Sequence, residues 1–273
     1  MNETWLELAF PTIKYTADEL IGFLYEYPFN SFLENGAELF AYISQSEWNH
    51  SHLDIINRIV VLDISYDIKK IISEDWNEKW EQNFPPVIIP GVVSIAALFH
   101  SPINSEPENI LIAPKMAFGT GHHETTAGML QAMSAINFQG KRVLDFGSGT
   151  GILAIYASKR GAGNVLAVDN ESPAIENISE NLTLNNINNV SFQLGDVSDI
   201  INKTYDIILA NITKNVILES MAHLQSAGIK GSEYLFSGFF ETELNEIKAA
   251  AKELDFINAT SHGKWCVAYF MKR

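Results

Sequence analysis

Residues 143–151 read VLDFGSGTG. An apolar run ends in Asp145, and glycines follow at 147, 149 and 151. Eighteen residues beyond Gly151 a second apolar run, NVLAV, ends in another carboxylate, Asp169. Strand, tight glycine turn, helix, strand and acid is the order in which a parallel α/β sheet holds an adenosine-containing ligand. Glycine has no Cβ, so the backbone can turn sharply and lie close against that ligand. A carboxylate at the end of the second strand can accept hydrogen bonds from both ribose hydroxyls, and Asp169 is so placed.

The dinucleotide fingerprint G-x-G-x-x-G requires a third glycine for close helix packing. Counted from Gly147, that position is Ile152, so the fingerprint fails. The pattern present is D-x-G-x-G-x-G, with Gly147 and Gly149 at its centre. It suits a cofactor whose amino-acid tail, rather than a diphosphate, lies over the loop. S-adenosyl-L-methionine is a ligand of that kind.

Outward from this loop the chain alternates strand and helix signals. Strands are expected at 142–146, 165–169, 190–194, 206–210 and 233–237, with amphipathic helices between them. Ser172 and Pro173 read as an N-cap and first helical residue, followed by Ala174, Ile175, Ile178 and Leu182 on one face. The last pair, near 255–261 and 265–271, is separated by His262, Gly263 and Lys264, room only for a tight antiparallel turn. Five parallel strands closed by a hairpin are the layout of a seven-stranded Rossmann-like methyltransferase sheet.

Residues 1–70 read as a separate α+β domain. WLELAF suggests a strand, 17–27 a helix, and Asn35-Gly36 a hairpin turn between two apolar runs, with another helix and strand to follow. That order is ferredoxin-like, and its lack of clustered polar residues argues for binding rather than chemistry. Residues 71–90 form an expected linker, with Trp76 and Trp80 one helical turn apart and Pro85-Pro86 ending any helix. Residues 91–273 are then the cofactor domain.

Of the 273 residues, 18 are basic and 33 acidic, a formal charge of −15. Such a surface repels phosphate backbones, and no Lys or Arg run offsets it, so direct nucleic-acid binding is not expected. No apolar run approaches the ~20 residues that cross a bilayer. The opening MNETWLELAF lacks a basic secretory start, and the lone Cys266 fits a reducing compartment. A cytoplasmic monomer without a membrane partner is expected. Cys266 sits in the apolar run WCVAYF and reads as packing.

Upstream of the glycine loop stands MAFGTGHHETTAGML. Thr125 or Thr126 can cap the helix that begins there, and Phe118 is available to stack on a cofactor. His122 and His123 are adjacent, so they point apart in an extended loop, and no further ligand sits at metal spacing. No metal is expected. The fourth strand ends in DIILANIT, which leaves Asn211 past the carboxyl edge, where open α/β sheets bind ligands. Its carbonyl oxygen can accept from an amine hydrogen and aim the amine lone pair at a sulfonium methyl, a catalytic role. Asp196, in LGD after the third strand, can accept from the adenine exocyclic amine.

The segments MAFGTGHHETT, VLDFGSGTGILAIYASKRGA, AVDNESPAIENISENLTLNN and DIILANI together resemble the PrmA family, methyltransferases of large-subunit ribosomal protein L11. The resemblance is strong over about residues 75–240, and the module order extends it to the whole chain. It implies transfer of methyl groups from S-adenosyl-L-methionine to lysine or N-terminal amines of that protein. It also implies that the N-terminal module grips the substrate. By motif, the family's cofactor contacts fall on Thr126, Gly147, Asp169 and Asn211. Where the family pattern has Thr-His-Pro after GTG, this chain has His122-His123-Glu124, which leaves Thr126 in place.

Other readings of the same fold are a nucleic-acid or small-molecule N-methyltransferase, or a cofactor-binding protein without catalysis. Nucleic-acid amino-methyltransferases commonly carry Asn/Asp-Pro-Pro-aromatic at the fourth strand, where the aromatic stacks on an extruded base. Here the residues are Asn211-Ile212-Thr213-Lys214.

Overall fold

The computed structural model describes residues 4–25, 27–72, 84–101, 103, 105–113, 119–201 and 203–273. They form two compact units, 1–85 and 86–273. Trp76 and Trp80, and with them most of the expected linker, lie outside the described residues.

In the first unit β1 (Thr4–Pro11), α1 (Ala17–Leu24), β2 (Ser31–Asn35), β3 (Glu38–Ser44), α2 (Gln45–Val61) and β4 (Asp67–Ile72) follow in turn. The sheet is antiparallel in the order β2-β3-β1-β4, the ferredoxin-like arrangement. Alternation along β1 turns Leu6, Leu8 and Phe10 to one face, where Leu20 and Leu24 of α1 and Ile55 and Ile59 of α2 cover them. Thr16 caps α1 in a reciprocal box with Glu19. The hairpin expected at Asn35-Gly36 is present, but its turn lies one residue on, at 36–37: Asn35 pairs with Glu38 as the last residue of β2, and Gly36 takes φ +65°.

The second unit opens with a small sheet that sequence patterning did not reveal: β5 (Val87–Ile89), β6 (Val93–Ala96) and β7 (Glu108–Leu111). Its strands are three or four residues long and broken by Gly91 and Pro90, too short for a periodicity to show. Val93, Ile95 and Ile110 bury into the cluster shared with the helices that follow.

Seven strands make the main sheet: β8 (Arg142–Phe146), β9 (Asn164–Asp169), β10 (Val190–Leu194), β11 (Tyr205–Asn211), β12 (Gly228–Phe240), β13 (Leu254–His262) and β14 (Trp265–Lys272). Their order is β10-β9-β8-β11-β12-β14-β13. The first five in that order are parallel, and β14 runs antiparallel to both β12 and β13. The Rossmann-like methyltransferase sheet with its terminal hairpin is therefore present. Helices α3 (Glu124–Met133), α4 (Ile152–Lys159), α5 (Ser172–Leu184), α6 (Lys214–Ser226) and α7 (Leu244–Ala250) complete the unit. One apolar cluster gathers Met129 and Met133 of α3 with Leu153 of α4 and Ile178 of α5. The other gathers Ile217 and Met221 of α6 with Ile247 of α7, Tyr234, Phe236 and Cys266. Burial pushes the Cys266 thiol up to about 11, the state of a packed, inert thiol.

The strand order reverses between β8 and β11. At such a switch the connections leave to opposite faces and open a crevice at the carboxyl edge. Among the described residues no helix is long and apolar enough to cross a membrane.

Candidate functional site

The turn after β8 is held by its own backbone. Gly147, Gly149 and Gly151 all take positive φ, at +74°, +52° and +77°, a region that L-residues with a Cβ seldom occupy. The Gly147 N–H donates to Val168 O at 2.8 Å and the Gly151 N–H to Ser148 O at 2.8 Å. A Cβ on Gly147 would run into Ile212 Cγ2, and one on Gly151 into Ile178. These glycines therefore answer two demands at once, the sign of φ and the close approach of neighbouring elements.

Asp169, at the end of β9, accepts from Gly149 N–H through Oδ2 at 2.8 Å and from Glu171 N–H through Oδ1 at 3.0 Å. Asp145, at the fourth position of β8, is fully buried and accepts from Ala154 N–H at 3.0 Å. Its other oxygen has no hydrogen-bond partner. Burial, reinforced by the nearby charge of Asp169, pushes the Asp145 carboxyl up to about 7.

On the other side of the switch β11 ends at Asn211, which is 8% exposed. Its Nδ2 donates to Thr126 Oγ1 at 3.4 Å, and its Oδ1 is buried without a partner. Thr126 comes from the first turn of α3, whose cap corrects the sequence reading. The N-cap is His123, not Thr125 or Thr126: its Nδ1 accepts from Thr125 N–H at 3.2 Å. A capping histidine leaves Thr126 inside the helix with its hydroxyl turned to β11. The loop before α3 is pinned to the glycine turn, because Thr150 donates to Gly119 O at 2.6 Å.

These groups stand at one carboxyl edge, where an orphaned amide oxygen, a carboxylate and a glycine cradle converge. The family model for ribosomal protein L11 methyltransferase (PrmA) matches residues 14–273. The chain belongs to this family. It is 35% identical to the ribosomal protein L11 methyltransferase of Phocaeicola vulgatus, over 98% of this chain and 99% of that protein. Its likeness to the enzyme of the same name from Bacteroides fragilis is also 35%, over 96% of each. Among solved structures, a ribosomal protein L11 methylase from Lactobacillus delbrueckii subsp. bulgaricus matches with a TM-score of 0.64 and 26% identity. That likeness covers 70% of this chain and all of the neighbour.

Within this PrmA-family chain one group of polar residues escaped the sequence reading. Asn177 and Asn181 of α5 and Asn185, its C-cap, recur every four residues and are all buried. Asn177 Nδ2 donates to Ala113 O at 3.0 Å, and Asn181 Oδ1 accepts from Ala113 N–H at 2.7 Å. Asn181 Nδ2 donates to Thr150 O at 2.8 Å. Asn185 accepts from Leu111 N–H and donates to Leu111 O. The ladder thus fastens the backbone after β7 to α5, and α5 to the glycine turn. Its signal in the sequence is the i, i+4, i+8 asparagine spacing within ENISENLTLNN.

Helix α5 also corrects an expected cap. Glu171 is the N-cap, without a side-chain bond, and Ser172 and Pro173 are the first two helical residues. Asp196 caps the short turn Val197–Ile200, accepting from Ser198 N–H at 2.7 Å. Hydrogen bonds from Ser198 hold its carboxyl below the usual range. Phe118 lies outside the described residues. Among those described, no group of three or more His, Cys, Asp or Glu is placed to hold a metal.

Proposed function

We propose that this chain transfers methyl groups from S-adenosyl-L-methionine to amines of large-subunit ribosomal protein L11, on lysine side chains or the N-terminus. The observation that carries the reading is the unpartnered Oδ1 of Asn211, buried at the carboxyl edge beside the glycine turn. A buried carbonyl oxygen without a donor costs on the order of 1–3 kcal/mol. An incoming N–H would recover that cost.

The residues present fit the methyl donor. Asp169 is ready for the ribose hydroxyls, since each carboxylate oxygen has a second lone pair beyond its backbone bond. Gly147 and Gly149 offer a backbone without side chains for the amino-acid tail, and Thr126 lines the same edge. Asp196, ionised and therefore acceptor-only, suits the adenine amine. When bound, S-adenosyl-L-methionine supplies a methyl group already activated on a sulfonium.

The protein's own part is placement. Well-oriented reactants can gain roughly 7–11 kcal/mol from positioning alone. The amine must be neutral to attack, and a free lysine is mostly protonated at neutral pH, with pKa ~10.4. Asn211 Oδ1 accepts one remaining N–H of the neutral amine and so turns its lone pair. Water takes the released proton. The first unit, with its own core, is the module we assign to gripping the ribosomal protein, and the cytoplasm is the compartment of that encounter.

Incubation of the purified chain with S-adenosyl-L-methionine and purified ribosomal protein L11, followed by intact mass measurement, tests the reading. Mass gains in multiples of one methyl group are expected. An unchanged L11 mass, with the cofactor bound, would defeat it.

A further inference from the structure

Three rings line the same carboxyl edge that presents Asn211. In register, Asn211 lies beside Ser237 of β12, and Phe240 of β12 lies beside Trp265 of β14. Ser237 Oγ donates to Cys266 O at 2.9 Å, tying the two strands together at that level. Along β11, Leu209 joins the cluster that contains α3 and Ala210 the opposite one, so Asn211 falls on the α3 face. Along β14, Val267 and Cys266 divide in the same way, which puts Trp265 on that face too. The Trp265 ring meets His123 edge-on, with centroids 4.9 Å apart and planes at 66°. It lies over Phe240 at 4.6 Å and 35°. Trp265 is half-buried and Phe240 is 38% exposed.

Carboxylates flank these rings. Glu124, next to His123, sits against Gly263, and Glu243 accepts from Phe240 N–H at 2.8 Å. The Glu241 backbone N–H donates to Lys264 O at 3.1 Å and ties the end of β12 to the β13–β14 turn. Lys214 answers Glu243, at 2.9 Å. A face of π-systems with Glu124 and the Lys214-paired Glu243 beside it attracts cations and apolar stems together.

Resting on the function proposed above, we propose that Trp265, Phe240 and His123 form an aromatic wall for the substrate's lysine side chain. The wall selects an alkylammonium and retains it between transfers. Its stem packs on the ring faces and its nitrogen faces Asn211. In each transfer the neutral amine forms an N–CH3 bond, the S–CH3 bond breaks with its electron pair going to sulfur, and the surplus ammonium proton leaves to water. Each added methyl removes an N–H that Asn211 could use, whereas the positive charge that the rings attract persists in every protonated or fully methylated product. Hydrogen bonding alone would release the methylated amine; the rings hold it.

Trp265→Leu, Trp265→Phe and Phe240→Leu test the wall. The measurements are KM and kcat for ribosomal protein L11, the dissociation constant for S-adenosyl-L-methionine, and the mass distribution of the product. Trp265→Leu is expected to raise KM for L11 about tenfold, with kcat less affected. Cofactor affinity should stay within about twofold, since the wall faces the amine. Its product should stop at fewer methyl groups than wild type under equal turnover. Trp265→Phe should recover most of the loss, and Phe240→Leu, at an exposed position, gives the same direction if Trp265→Leu fails to fold. Equal KM and equal product distribution in the leucine and phenylalanine variants would overturn the wall while the wild-type reaction still stands. A wild type that leaves L11 unmethylated would instead defeat the underlying function, and the wall with it.

Discussion

Asn211 Nδ2 donates to Thr126 Oγ1 at 3.4 Å, while Oδ1, at the other end of the same amide, is buried with no donor. A buried amide oxygen without a donor at the carboxyl edge suits a site that takes an N–H from an incoming group. Asn211→Ala removes the orphaned oxygen along with its chemistry. The variant should unfold at a temperature within a few degrees of wild type, or slightly above it. Its kcat should fall about 10²–10³-fold, the usual loss for one preorganised polar contact. Steady-state kinetics and thermal unfolding on the same preparation check both halves.

Gly147→Ala asks two things of the loop at once. At φ +74° the alanine is strained, and its Cβ runs into Ile212, the neighbour of Asn211. A loss of about 1–3 kcal/mol in stability is expected from the backbone alone. Cofactor affinity should fall by at least about tenfold as the turn shifts, 1.4 kcal/mol by conversion. Urea unfolding and a cofactor titration separate the two effects.

Asp145 makes cofactor binding depend on pH. Its carboxyl, pushed up to about 7 by burial and by Asp169, holds a proton below that value. A cationic ligand favours the ionised form, so binding releases this proton. Affinity for S-adenosyl-L-methionine should therefore rise as pH climbs towards about 7 and level off above. The folding contribution has the opposite slope: the native state keeps the proton longer than the unfolded chain, whose value is near 3.8. Stability lost to this group thus grows as pH rises from about 3.8 to 7. Calorimetry in buffers of different ionisation enthalpy measures the proton release, and Asp145→Asn should abolish it.

Asn181→Ala cuts the middle of the α5 ladder. It leaves Ala113 N–H and Thr150 O buried without their side-chain partner. A destabilisation of about 2–4 kcal/mol is expected from two such groups. Because Thr150 belongs to the glycine turn, weaker cofactor binding should accompany it. Denaturant midpoints and cofactor titration of the variant read both.

The sheet was legible because its physics is local. Arg142–Phe146 is a largely apolar run and Val190–Leu194 an alternating one, each bounded by turn residues. The short gap before Trp265, which the structure narrows to Gly263 and Lys264 by pairing His262 with Trp265, permits only a hairpin. Asn35-Gly36 marked its hairpin for the same reason, within one residue of the turn at 36–37. The convergence of Asp169, the glycines and Asn211 was legible through strand ends, since the carboxyl edge of a parallel sheet gathers them. What stayed hidden depends on tertiary partners. His123 caps α3 through a ring nitrogen that adjacent-histidine spacing does not reveal. The asparagine ladder needs the backbone at 111–113 to give it meaning, and β5–β7 are too short to carry a pattern. The wall at Trp265 joins residues 123, 240 and 265, far apart in the chain.

The most direct measurement offers the chain a choice of acceptors. Methyl-labelled S-adenosyl-L-methionine is supplied with a ribosomal extract from cells lacking the enzyme, and the labelled species are separated and weighed. Label in one protein, ribosomal protein L11, and its disappearance with Asn211→Ala, is the predicted result. Label carried by RNA, or by a small molecule with L11 unmarked, would contradict the account.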